Sequence, residues 1–177
     1  LDGYVENYYQ ADAVTFKVPN PEKVHILFSE TLDALLYRES YVPILMNMLP
    51  QFPKETILIP ENVLLKLSFQ VQSEENEIKE IEEGEIFNTR EDIRKYQAVN
   101  SSAKEFTPVE FNLTDGLNYK NMILDTEVHV YEDIKLFRGV SSLTISYNVE
   151  IEQPLKFKKL VFAYELQPQV ELKCDFV

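Results

Sequence analysis

Period-two alternation of apolar and polar side chains is the feature of this chain that most limits how it folds. In VLLKLSFQVQ (63–72), Leu65, Leu67, Phe69 and Val71 face one way and Lys66, Ser68, Gln70 and Gln72 the other, because successive side chains of an extended backbone point to opposite sides. MILDTEVHVYE (122–132) repeats the pattern, with Met122, Leu124, Thr126, Val128 and Val130 inward and Ile123, Asp125, Glu127, His129 and Tyr131 outward. LTISYNVEIE (143–152) alternates without a fault. It predicts a strand that buries Leu143, Ile145, Tyr147, Val149 and Ile151 and presents Thr144, Ser146, Asn148 and Glu150 to water. LVFAYEL (160–166) places Leu160, Phe162, Tyr164 and Leu166 on one face, and VELKCDF (170–176) does so with Val170, Leu172, Cys174 and Phe176.

Parallel strands covered on both sides read as continuous apolar runs, so alternation of this kind predicts antiparallel strands with one packed and one solvated face. Each apolar face must then be covered by a second sheet or by a helix laid across it. The predicted fold is mainly β: an antiparallel sandwich or flattened barrel with one to three short helices. A length of 177 residues suits one domain with a sizeable core, here residues 13–177 behind an N-terminal arm of residues 1–12.

The first half of the chain carries weaker signals. AVTFKV (13–18), KVHILF (23–28) and ETILI (55–59) read as short strands. A helical segment is predicted over about 30–48: Leu32, Leu35 and Leu36 stand at helical spacing behind Ser29, and Pro43 opens a second short helix that Pro50 and Pro53 stop. An acidic excursion over about 74–98 has two readings. Ile78 and Ile81 belong either to a strand paired back through SEEN (73–76) with a bulge or to a solvated helix, and Asn88 with Glu91 forms a capping box for a short helix ending near Ala98.

Seventeen Lys and Arg against 30 Asp and Glu leave a formal charge of −13. A field of that sign repels phosphate backbones, and basic residues cluster only weakly in KFKK (156–159), so nucleic acid is excluded as the expected partner. The charge also disfavours anionic membrane surfaces, and no apolar run approaches the ~20 residues of a spanning helix, so membrane insertion is not expected. A basic protein partner is compatible. One cysteine, Cys174, cannot form an internal disulfide; reducing surroundings, a cytoplasm or a virion, are favoured over secretion, and Cys174 reads as a small buried hydrophobe.

Catalytic and cofactor chemistry has little to rest on. The four glycines, at 3, 84, 116 and 139, form no phosphate-cradling loop. Residues 74–85 lack the spacing and glycine turn of a calcium loop, and His25 and His129 lie in no metal motif. Glu127 and His129 share a strand face, an arrangement that suits general acid–base work but reads first as a surface pair. No catalytic residue, cofactor or metal site is therefore assigned.

The partner-binding candidates are Tyr4, Tyr8 and Tyr9 of the arm, since tyrosine brings large contact area at modest entropic cost, together with Glu127 and Glu150 on the polar sheet face. These readings lead to a non-catalytic structural or interaction domain that self-associates or binds a protein partner, with a virus or phage particle component as the architectural analogy. Two alternatives stay open. One is a small-molecule or lipid-binding barrel lined by Phe69, Tyr147, Phe162 and Tyr164; the other is an enzyme using carboxylates and His129.

Overall fold

In chain order the strands and helices are β1 (Ile26–Phe28), α1 (Tyr41–Met48), β2 (Ile57–Ile59), β3 (Asn62–Gln72), β4 (Ile78–Asn88), α2 (Thr89–Val99), β5 (Val109–Asn112), β6 (Asn118–Tyr131), β7 (Ile134–Leu136), β8 (Tyr147–Glu150), β9 (Lys159–Glu165) and β10 (Glu171–Phe176). They are seen in a computed structural model that describes residues 3–37, 39–99, 105–166 and 170–177. The molecule is mainly β. The main antiparallel sheet runs β4-β3-β6, with β7 on one end of β6 and β8 on the other; a second antiparallel sheet runs β10-β9-β5; β1 and β2 form a small parallel ribbon. No closed barrel forms among the described residues.

Alternation places most of the core as expected in the long strands, but Ile123 and Ser68, predicted outward, are buried as well, at 2% and 4% exposure. Leu65, Leu67, Phe69 and Val71 of β3, Met122, Leu124, Thr126 and Val128 of β6, and Leu160, Phe162 and Tyr164 of β9 are all buried. The apolar faces of both sheets join one contiguous cluster with Tyr41, Val42 and Leu45 of α1 and Ile93 of α2. Phe87 of β4 stacks on Tyr164 of β9 with ring centroids 4.5 Å apart, which ties one sheet to the other. Because Phe69, Phe162 and Tyr164 fill this core, they do not line a barrel lumen. Cys174, on β10, is half-buried, and burial pushes its thiol up to about 11, with Asp175 adding to the shift.

The acidic excursion is a strand and a helix. β4 returns antiparallel on β3 with register shifts at Leu65/Lys66 and Leu67/Ser68, the predicted bulge, and Gly84 (φ +146°) supplies there a backbone conformation that L side chains rarely adopt. Asn88 caps α2 by accepting from the Glu91 N–H at 3.2 Å. The return bond comes from Asp92 rather than Glu91: its carboxylate accepts from the Asn88 N–H at 2.8 Å.

Three expected elements fold otherwise. Residues 30–37 are not a helix, and residue 38 of the expected helix lies outside the described residues: a 3-10 turn covers Ala34–Leu36, with Leu35 and Leu36 both at positive φ. Tertiary bonds outweigh helical spacing there, since Thr126 Oγ1 accepts from the Leu35 N–H at 2.9 Å and the Tyr164 hydroxyl donates to the Leu36 carbonyl at 2.8 Å. Residues 13–18 form a turn and an irregular segment instead of a strand.

LTISYNVEIE, the most regular alternation, is only partly strand. Ser142–Thr144 is a 3-10 turn closed by a capping box in which Ser141 Oγ accepts from the Leu143 N–H and Thr144 Oγ1 from the Ser141 N–H. Hydroxyl groups so close to the backbone offer it an alternative to the ladder. The consequence is inverted burial. Thr144 is buried while Ile145 and Tyr147, predicted inward, are 61% and 60% exposed.

Candidate interaction surface

The arm is rooted on α1. Asn47, in α1, and Gln51, one turn further on, project their amides to the same side. Asn47 Nδ2 donates to the Ala13 and Phe16 carbonyls at 2.9 Å each, Gln51 Nε2 donates to the Phe16 carbonyl at 3.0 Å, and Gln51 Oε1 accepts from the Val18 N–H at 3.0 Å. Asp12 starts the turn that leads into this clip, its carbonyl accepting from the Phe16 N–H at 2.8 Å. Upstream of it, Tyr4 is 94% exposed, Tyr8 71% and Tyr9 57%, and residues 5–10 have no regular structure. Tyr9 alone of the three has a ring contact among the described residues, with Phe16 at 5.3 Å.

The polar face of the main sheet is more ordered than a solvated face. Lys66 pairs directly across from Asp125 and diagonally from Glu127, and it reaches the Glu127 carboxylate at 2.7 Å. His129, two residues along the same face, meets the other Glu127 oxygen at 2.6 Å. Burial by itself raises the Glu127 carboxyl, but the bonds from Lys66 and His129 outweigh it and hold the group below its usual range. Lys66 is correspondingly held above the ordinary lysine range, mainly by its bond to Glu127. Glu127 is therefore a compensated, mostly buried charge. Glu150, at the end of β8 opposite Asn121, is exposed and has no ion pair among the described residues.

A second network lies beside the first. Arg138, beyond β7, spreads its guanidinium over Asp125 of β6 and Glu80 of β4: Nε to Asp125 Oδ1 at 3.0 Å, Nη1 to Glu80 Oε2 at 2.8 Å, and Nη2 to both carboxylates. Ser68 donates to Glu80 at 2.8 Å and Ser146 to Asp125 at 2.6 Å. Arg138 and Ser146 thereby hold the ends of the 138–146 loop against the sheet, and the 142–144 turn within it packs on β6. Sequence reasoning missed this. Glu80 and Arg138 stand 58 positions apart, and no local pattern pairs them. Asp125 and Glu127 are thus engaged inside the domain, so Glu150 is the acid of this trio free to meet a partner.

These bonds set a pH dependence. The Glu80 carboxyl is lowered chiefly by its bond from Arg138, and Glu127 is lowered as described. A depressed folded-state pKa contributes stability that is complete above the ordinary carboxylate range, about 4.3, and is lost as pH falls through the folded value. Wild type is therefore expected to lose thermal stability between pH 5 and pH 3. Glu127→Gln, destabilised by roughly 1 kcal/mol at pH 7, is expected to converge on wild type in melts at pH 3; a constant gap would show that these bonds do not carry the effect.

The clefts among the described residues include two that bear on this surface. One of about 740 Å³ lies among Leu35, Tyr37, Leu124, Ile145, Tyr147 and Leu172, with Asp33 and Ser146 as its charged and polar lining. The other, of about 420 Å³, lies between α2 and the segment 49–58 and carries Lys54, Arg90 and Arg94. Among the described residues no group of three His, Cys, Asp or Glu side chains is placed to hold a metal ion, and no helix is long and apolar enough to cross a membrane. No protein-family model matches the chain, and no curated protein matches it.

Proposed function

We propose that this chain is a non-catalytic assembly domain that engages a protein partner through its N-terminal arm. The observation that carries this reading is the contrast between the arm and its root. Residues 13–18 are clipped to α1 by two amide side chains, whereas the tyrosines beyond them stand in solvent. Exposed aromatic rings on an anchored segment without regular structure are a ready contact surface, because each ring covers large area with few rotatable bonds. Anchoring the root also limits the conformational freedom that binding must remove. Glu150, exposed and without an ion pair among the described residues, adds a charge that a basic partner surface would meet.

Deleting residues 1–12 is expected to reduce the particle mass in light scattering, or to abolish partner capture, while leaving the far-ultraviolet circular dichroism of the domain unchanged. An unaltered mass and unaltered capture would refute this role for the arm.

A further inference from the structure

We infer that the cationic cleft beside α2 receives the N-terminal arm of a second copy of this chain; the inference rests on the assembly reading above and names the partner. It begins with how α2 sorts its charges. Glu91 and Asp92 share Lys95 at 3.4 and 3.3 Å, on the side of the helix away from the cleft. Arg90, Ile93, Arg94 and Gln97, at positions i, i+3, i+4 and i+7, form the stripe that faces the cleft. Lys54 stands on the opposite rim. Arg90 donates one N–H to the Glu61 carbonyl at 3.4 Å, yet no carboxylate lies within 4 Å of Arg90, Arg94 or Lys54 among the described residues. In a chain with 30 acids against 17 Lys and Arg, this cleft thus gathers three cations that no carboxylate neutralises among the described residues. Between them, Phe52, Leu58 and Ile93 make an apolar floor.

A fitting occupant is anionic and aromatic. Residues 1–12, LDGYVENYYQAD, contain Asp2, Glu6 and Asp12, three tyrosines and no Lys or Arg. In an extended chain Tyr4, Glu6 and Tyr8 fall on one side, so a carboxylate lies between two rings. That side matches a cationic rim over an apolar floor: the guanidinium groups take the carboxylate and the faces of the rings. The larger cleft offers no such match. Among the described residues its lining includes Asp33 and no Lys or Arg.

Location decides for a second copy. Asn47 and Gln51, which hold the arm's root, flank in sequence the Leu49–Pro50 wall of the cleft, yet within one chain Tyr4 and Tyr8 remain exposed. A root beside its own receptor lets two copies related by a twofold axis exchange arms reciprocally. Residues 3–12, extended at ~3.3 Å each, span about 33 Å, enough to cross such an interface.

The test is solution mass by light scattering across a dilution series, at low salt. Arg94→Glu and Glu6→Arg are each expected to raise the dissociation constant about tenfold or more, Arg94→Gln by less, and Glu6→Arg combined with Arg94→Glu to restore most of the loss. Each single site is exposed, and unfolding midpoints equal to wild type establish that the variants fold. If deletion of residues 1–12 lowers the mass but Arg94→Glu does not, the arm docks elsewhere: this inference fails and the assembly reading stands. If the double charge reversal fails to rescue, direct pairing of Glu6 with Arg94 is refuted. If wild type is monomeric throughout, or the deletion leaves a dimer intact, the exchange is refuted.

Discussion

Replacing Tyr164 with alanine is expected to cost about 3–5 kcal/mol, a large share of the ~5–15 kcal/mol that holds a domain of this size together. The residue joins three parts of the molecule. Its ring is buried, lies nearly parallel to Phe87 of β4 at 11°, and meets Phe106 edge-on at 5.9 Å. Its hydroxyl donates to the Leu36 carbonyl, inside the turn where Leu35 and Leu36 take positive φ. Alanine would remove the aromatic contact between the sheets and leave a cavity that β4 and β9, each held in its own ladder, cannot close. Tyr164→Phe separates the contributions: it keeps the ring and is expected to cost about 1–2 kcal/mol, because the Leu36 carbonyl loses a buried donor. Urea unfolding followed by circular dichroism measures both. Equal losses in the two variants would show that the hydroxyl, and not the stacked ring, ties the sheets.

Arg138→Ala is expected to destabilise by about 1–3 kcal/mol. The value is below that of a fully buried ion pair because the arginine is 43% exposed and water screens part of the attraction. The loss comes mainly from what remains, since Asp125 is only 14% exposed and would be left, among the described residues, with Ser146 as its side-chain donor. Arg138→Lys should recover less than half of the loss: an ammonium cannot serve two carboxylates through the planar fork that spans β4 and β6. A double-mutant cycle with Glu80→Gln should give a coupling of at least ~0.5 kcal/mol. Zero coupling would mean that the loop is held by its capping box and the 142–144 turn, without the guanidinium.

Much of the β architecture was legible because period two is a local property of an extended chain. Residues 65–71, 122–130 and 160–164 each show their core face without reference to a partner strand, and burial follows for most of it, while Ser68 and Ile123 of the opposite face are buried too and Val130 is only partly buried. The cap of α2 was legible for the same reason, since Asn88 acts within one turn of itself. Tyr4, Tyr8 and Tyr9 were legible as aromatics outside any period, and the structure leaves them exposed while Asn47 and Gln51 hold residues 13–18 to α1.

What alternation alone could not decide is whether a strand's backbone bonds are the best available ones. At 141–147 the hydroxyls of Ser141 and Thr144 capture the backbone, so Ile145 and Tyr147 turn outward although their spacing is faultless. At 34–36 a hydroxyl of β6 and one of β9 take the N–H and C=O that a helix would have used. The charges follow the same rule. Sequence determined that Asp125 and Glu127 lie on a polar face, but only the tertiary structure brought Arg138 to Asp125 and, among the described residues, left Arg90 and Arg94 without a carboxylate, because Coulomb attraction acts between neighbours in space and those neighbours are set by the packing of distant segments.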